Sequence, residues 1–258
     1  MTLFSLITCG FKVEPGENDP VLRHINNEAF GRGEVLKYRL HYGWMDAGEI
    51  VMEVKEEVKN FGNRSTFHIV GTGVSKGTFD WFFRVRDRYE TYIDEELLVP
   101  WLFLRRVEEG SYTLSQDYFF NHHKHKVDIG GGVTYDIPPN TQDMLSAFYA
   151  ARCIDFSNAK EGDIFTINSF VDKELFPLKI KYAGKETIKT NLGKFKCLKF
   201  RPVIQKGRVF KKEDDLKVWI TDDKNHIPVR VQAELLVGSI KMDLTEYFGL
   251  ANSIAKVD

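Results

Sequence analysis

From Gly33 onward, apolar and polar residues alternate with the two-residue period of half-buried strands, interrupted by turns that carry glycine. Residues 35–58, VLKYRLHYGWMDAGEIVMEVKEEV, contain two β-rich runs meeting at the turn-like Asp46-Ala47-Gly48. RSTFHIVGTGV, RVRDRYETYID, VPWLFLRRVEEGSYTLSQDYFF and HKVDIGGGVTYDI extend this into a meander. One segment has a different period. In NTQDMLSAFYAARCIDF, Met144, Leu145, Phe148 and Tyr149 recur at helical spacing, with Asn140 or Thr141 available as a cap, and predict one helix over about 141–154.

After that helix the pattern begins again. Gly33-Glu34-Val35-Leu36 is echoed by Gly162-Asp163-Ile164-Phe165, Pro100 by Pro228 and Gly110 by Gly238. The expected fold is all-β and mainly antiparallel: a curved sheet, half-barrel or sandwich built from two similar halves, residues 33–139 and 162–248. The helix, residues 140–155, would cross between the halves and pack on or in the concave face. Residues 1–32 read as an export or lipobox-like segment followed by a polar tether, and 249–258 as a tail.

Charge narrows the list of partners. With 36 Lys+Arg against 37 Asp+Glu the formal net charge is -1, so no global field favours nucleic acid. The apolar run at the N-terminus is too short to span a bilayer. Leu6-Ile7-Thr8-Cys9 nevertheless resembles a lipobox, which makes lipidation of Cys9 the expected route of membrane attachment, although Thr8 stands where a smaller residue is usual. Cys153 and Cys197 are expected to be buried free thiols.

The stretch FDWFFRVRDRYETYID, residues 79–94, carries most of the candidate chemistry. On a strand, Phe83, Val85, Asp87, Tyr89, Thr91 and Ile93 would share the apolar face, and Arg84, Arg86, Arg88 and Glu90 the other. The arginines then form a ladder facing solvent or a cross-strand acidic row, or contacting an anion such as a lipid headgroup. Asp87 needs a partner to remain on the apolar side, and a structural role suits it. The aromatics Phe79, Trp81, Phe82, Phe83, Trp101 and Phe103 are expected to lie mostly in the core, with part of their area lining a groove or projecting from a loop.

Trp81, Phe82, Trp101, Phe148, Tyr149, Arg84, Arg86 and Arg88 are therefore the candidate ligand-binding residues. In NHHKHK, His123 and His125 would project together from a strand with His122 opposite; this is a weak metal pair lacking further ligands, and no cofactor is expected. No nucleophile elbow, metalloprotease helix or dinucleotide fingerprint occurs.

GEVLKYRLHYGWMDAGEIVMEV, RVRDRYETYID, QDMLSAFYAAR and LKVWITDDKNHIPVRVQAELLVGSIKMDL resemble the bacterial domain-of-unknown-function family DUF 3108 over about residues 30–248. The resemblance implies an exported or envelope protein of a Gram-negative bacterium, with no assigned activity and no catalytic residues to carry over. The closing block is also similar to the end of LolA- and LolB-type lipoprotein carriers, a likeness of fold only. The functional expectation is non-enzymatic binding of a lipid, acyl chain or polypeptide in the concave face. The alternative is an interaction lipoprotein whose concavity is plugged by Met144, Leu145, Phe148 and Tyr149, and an enzyme ranks third.

Overall fold

The computed structural model describes residues 24–203, 215–234 and 238–257. Cys9, most of the expected tether and Asp214, the repeat counterpart of Asp87, lie outside the described residues. The first half forms β1 (Val35–Tyr42), β2 (Met45–Phe61), β3 (Arg64–Ser75), the short helix α1 (Gly77–Phe82), β4 (Arg86–Asp94), β5 (Pro100–Glu109), β6 (Tyr112–Asn121), β7 (Lys126–Asp128) and β8 (Thr134–Asp136). Helix α2 (Met144–Arg152) leads to β9 (Ile164–Val171), β10 (Glu174–Thr190), β11 (Gly193–Pro202), β12 (Leu216–Thr221), β13 (Pro228–Glu234), β14 (Ser239–Phe248) and β15 (Lys256–Val257). All fifteen strands belong to one open antiparallel sheet in the order β8-β7-β6-β5-β4-β3-β2-β1-β14-β13-β12-β11-β10-β9, with β15 pairing onto β11.

Both halves open with the same pair of strands. β1 and β9 have 8 residues each and β2 and β10 have 17 each, at a constant offset of 129 (164 − 35 and 174 − 45). The halves join where β1 pairs with β14. At the opposite seam the two edge strands, β9 and β8, do not pair. Instead Gln142 bridges to β9, its N–H donating to Asn168 O at 2.8 Å and its carbonyl accepting from Phe170 N at 2.8 Å. Phe170 packs edge-on against Tyr118 at 5.4 Å, and Arg105 pairs with Asp172 at 2.7 Å. The sheet curls almost onto itself, and side chains hold the remaining seam.

The β1–β2 hairpin turns at Gly43-Trp44, where Gly43 has φ of +57°, and Asp46-Ala47-Gly48 is strand, contrary to the sequence expectation. The left-handed backbone is open to glycine without steric cost, so the turn forms one residue after Tyr42 and leaves Trp44 at its tip. α1 was also not anticipated. β3 ends at Ser75, and from Gly77, at φ +59°, six residues coil instead of extending.

Helix α2 lies where expected but is capped differently. Asp143 is the cap: its Oδ1 accepts from Leu145 N at 2.7 Å and Ser146 N at 2.8 Å, and Ser146 Oγ accepts in return from Asp143 N at 2.8 Å. Leu145 and Tyr149 are buried among Leu36, Tyr38, Met52, Val54, Phe67, Ile69, Ile93 and Phe103 on the inner face of the sheet. Residues 25–32 are not a tether. Ala29 and Phe30 are core, and Ile25 N donates to Glu96 O at 3.0 Å. The tail also folds in, since β15 lies on β11.

At its C-terminus α2 is fixed by a buried ion pair. Arg152 and Glu34 side chains are 2% and 0% exposed, and the guanidinium binds the carboxylate in a fork at 2.6 and 2.7 Å. Its remaining donors reach Asn225 O at 2.9 Å and Ala29 O at 3.1 Å, and the Phe30 and Tyr149 rings lie 5.4 and 5.2 Å from its central carbon. One side chain therefore joins the N-terminal segment, the start of β1, α2 and the β12–β13 turn. Removing one member strands a buried charge, so Arg152→Met alone should lose about 3–5 kcal/mol in denaturant unfolding, while adding Glu34→Leu should recover most of that loss. A single variant within about 1 kcal/mol of the parent would contradict this role.

Candidate functional site

The topology sorts the connections between two ends of the curled sheet. The β2–β3, β4–β5, β10–β11 and β12–β13 turns lie at the base with Arg152 and Glu34; the β1–β2 hairpin, α1, the β5–β6 hairpin and the β9–β10 hairpin lie at the opposite rim. Large exposed apolar residues cluster at that rim: Trp44, Met45, Phe79, Trp81, Phe82, Phe83, Tyr112, Leu175, Phe176 and Ile240. Three are almost bare, Trp44 at 88%, Trp81 at 82% and Phe82 at 77% exposed. This corrects the expectation of a mostly buried cluster. Only Trp101 and Phe103 of that group are core; because α1 buries none of its residues, its rings never reach the sheet interior.

α1 is held in place by polar contacts. Lys76 N donates to Ala47 O at 3.0 Å, Ser75 Oγ donates to Asp80, and Arg86 forks onto Asp80 at 2.7 and 3.1 Å. The Arg86 guanidinium, with the Ser75 hydroxyl, holds the Asp80 carboxyl below its ordinary range. On the other side Phe83 touches the β5–β6 hairpin, where a methyl group at Gly110 would come within 3.2 Å of its ring. The helix is therefore lodged between two hairpins.

The expected arginine ladder is broken at Arg84, which precedes β4 and is exposed. Arg86 pairs with Asp80 on α1 and lies near Glu108 of β5, and Arg88 pairs with Glu90 of its own strand at 2.8 Å; across from Arg88 stands Arg106, so the acids do not form a row. The inward face is as expected from Asp87 to Ile93: Thr91 Oγ1 donates to the cap Asp143 at 2.6 Å, and Ile93 is core. Asp87 accepts one long bond from Glu108 N at 3.3 Å, and burial raises its pKa.

The candidate ligand-binding residues do not converge. Trp81, Phe82 and Arg84 are on the rim, Tyr149 is sealed in the core, and Phe148 is half-buried at its edge. Trp101 is buried near the base, its indole N–H donating to Asp94 at 3.0 Å. Among the described residues are clefts of about 200 and 210 Å³. The first, between α2 and β9, is lined by Asn140, Gln142, Thr166 and Asn168 together with Ala150 and Ile167, so its wall is half polar. Met144 remains exposed, and the interior is plugged mainly by Leu145 and Tyr149.

His123 and His125 lie in the β6–β7 turn, not on a strand, and His125 has φ of +51°. His123 stacks on Trp101 at 5.9 Å. No cluster of three His, Cys, Asp or Glu able to hold a metal occurs among the described residues. Cys153 and Cys197 are free, and burial pushes both thiols up to about 12.

Asp143 and His122 are among the buried polar groups that sequence reasoning did not place. Burial raises the Asp143 carboxyl to about 6 against the hydrogen bonds that favour its charge, but as the cap at the start of α2 it has no face to solvent. His122 is fully buried, donates Nε2–H to Pro100 O at 2.8 Å, and is pushed down to about 4 by desolvation. A depressed histidine pKa gives stability that is complete above pH 6.5 and lost as pH falls toward 4; the shift corresponds to about 3 kcal/mol. Unfolding free energies measured across that window should fall less steeply in His122→Phe than in the parent, and identical slopes would contradict the assignment.

The β-barrel-like protein of domain of unknown function DUF1849 from Brucella abortus has a similar fold: TM-score 0.54, 11% identity, covering 85% of this chain and 98% of that one. A protein from Parabacteroides distasonis, provisionally described as a lipoprotein, matches at TM-score 0.38 and 12% identity over 84% of this chain and 96% of its own. The likeness to the Brucella abortus protein speaks for fold alone. No curated protein matches the sequence. The profile of the protein family of unknown function DUF3108 matches residues 37–245, and the chain belongs to that family.

Proposed function

We propose that this is a non-enzymatic binding protein of the cell envelope that engages a hydrophobic partner, and that it does so with its aromatic rim. Of the two non-enzymatic readings suggested by the sequence, the interaction protein with a filled interior has the better support. The observation that carries it is the contrast between a concave face packed by Leu145 and Tyr149 and a rim bearing Trp44, Trp81 and Phe82 in solvent. An enclosed site for an acyl chain calls for an apolar cavity of roughly 300–1,000 Å³. The clefts near 200 Å³ are smaller and partly polar.

The non-enzymatic reading draws on the same geometry. Perturbed acids and bases are the usual marks of catalysis, but Asp143 and His122 are sealed in the core and Asp87 stands on a third element. The envelope location rests on the lipobox-like Leu6-Ile7-Thr8-Cys9 and on what the family resemblance implies.

Native mass spectrometry of protein extracted from a Gram-negative envelope should give the polypeptide mass, with no addition beyond a covalent lipid on Cys9. Trp81→Ser/Phe82→Ser should unfold within about 0.5 kcal/mol of the parent, as exposed positions do. A stoichiometric lipid lost on denaturation, or a rim variant that unfolds, would overturn this reading.

A further inference from the structure

We infer that the rim docks on a phospholipid bilayer with anionic headgroups; this rests on the reading of the rim as the contact surface and names its partner. The four tryptophans are segregated: Trp101 and Trp219 are buried, while Trp44 and Trp81 stand at the tip of the β1–β2 hairpin and on α1. Trp81 and Phe82 touch edge-to-face at 4.6 Å, and each remains more than three-quarters exposed. These rings contribute no packing to the core. Their placement at one end of the sheet, on connections held together by the Lys76–Ala47 bond and the Phe83–Gly110 contact, lets them meet a surface jointly.

The chemistry favours a headgroup layer. The near-bare side chains are Trp and Phe, with no Leu, Ile or Val among them, and tryptophan is the ring that settles at the membrane–water interface. Charge agrees with this. The segment 76–86, KGTFDWFFRVR, interleaves four aromatics with Lys76, Arg84 and Arg86 against the single anion Asp80. Asp80 is engaged by Arg86 and Ser75, Lys76 leans on Glu49 at 2.6 Å, and Arg84 is exposed beside the aromatic run. Cations flanking interfacial rings match lipid phosphates. Tyr42-Gly43-Trp44-Met45, at the neighbouring tip, is uncharged; the acids beside the run are Asp46, which is paired with Arg39, and Glu109, whose backbone bridges to Val85.

The test uses the full chain carrying Cys9→Ser, so that no lipid anchor contributes, with phosphatidylcholine vesicles and with mixed phosphatidylcholine–phosphatidylglycerol vesicles. Co-sedimentation and a blue shift of tryptophan emission are expected with the mixed vesicles. Trp44→Ser/Trp81→Ser/Phe82→Ser should weaken partitioning at least about tenfold, and Lys76→Gln/Arg84→Gln should remove the preference for phosphatidylglycerol. Absence of sedimentation and blue shift with either vesicle, or a triple variant that partitions like the parent, would overturn the proposal and point to a protein partner. Native mass spectrometry and the stability of the rim variant are independent of that outcome, so the wider reading can survive it.

Discussion

The fork between Arg152 and Glu34 is the constraint on which the rest of the molecule depends. α2 shares one core with the inner face of the curled sheet. Leu145 and Tyr149 supply the apolar contacts, but Arg152 fixes the register of the helix against both halves at once, through Glu34 and Ala29 on one side and Asn225 on the other. Two ions of opposite charge buried with their hydrogen bonds satisfied are a poor source of net stability; what this pair provides is one joint attachment for four segments of the chain. His226 supports the same junction, its ring bonding the Arg152 carbonyl at 2.7 Å.

With the base fixed in this way, the rim is free of structural duty. The first half bears α1 between β3 and β4, and the aromatic run it carries is withheld from the core. Burying Trp81 and Phe82 would bring about 2–3 kcal/mol each, so leaving both in water is a cost that folding alone does not explain. The proposed contact role of the rim would account for it. The same division separates the polar networks: those at the base are buried and tie elements together, while those at the rim, such as Arg86 with Asp80, merely hold α1 in place.

Much of the fold could be read from the sequence because its signal is periodic. Alternation along VLKYRLHY places Leu36 and Tyr38 inward, and the repeated strand pairs echo the internal similarity. The helical spacing of Leu145 and Tyr149 found α2, and the same stripe continues to Arg152, so a charged residue in line with the buried face was a visible sign of a core ion pair. The partner could not be read: Glu34 lies 118 residues away in sequence and meets Arg152 only once the halves have joined. α1 was missed for another reason. FDWFF carries the strongest strand formers, and local propensity was overruled by the break at Gly77 and by contacts to Asp80 that no pattern records. The candidate site was legible in composition but not in place, since Trp81, Phe82 and Arg84 share the rim while Tyr149, Phe148 and Trp101 belong to the core or its edge.

The central claim is that the interior is a structural core closed by α2 and not a ligand cavity awaiting its occupant. Amide hydrogen exchange of the free protein measures this most directly. The account predicts that amides of residues 147–152 exchange among the slowest in the chain, through global unfolding, while those of α1 exchange by local fluctuation. If α2 exchanged as readily as α1, with the strands still protected, the helix would be a movable plug, the concave face would be accessible, and the account would fail.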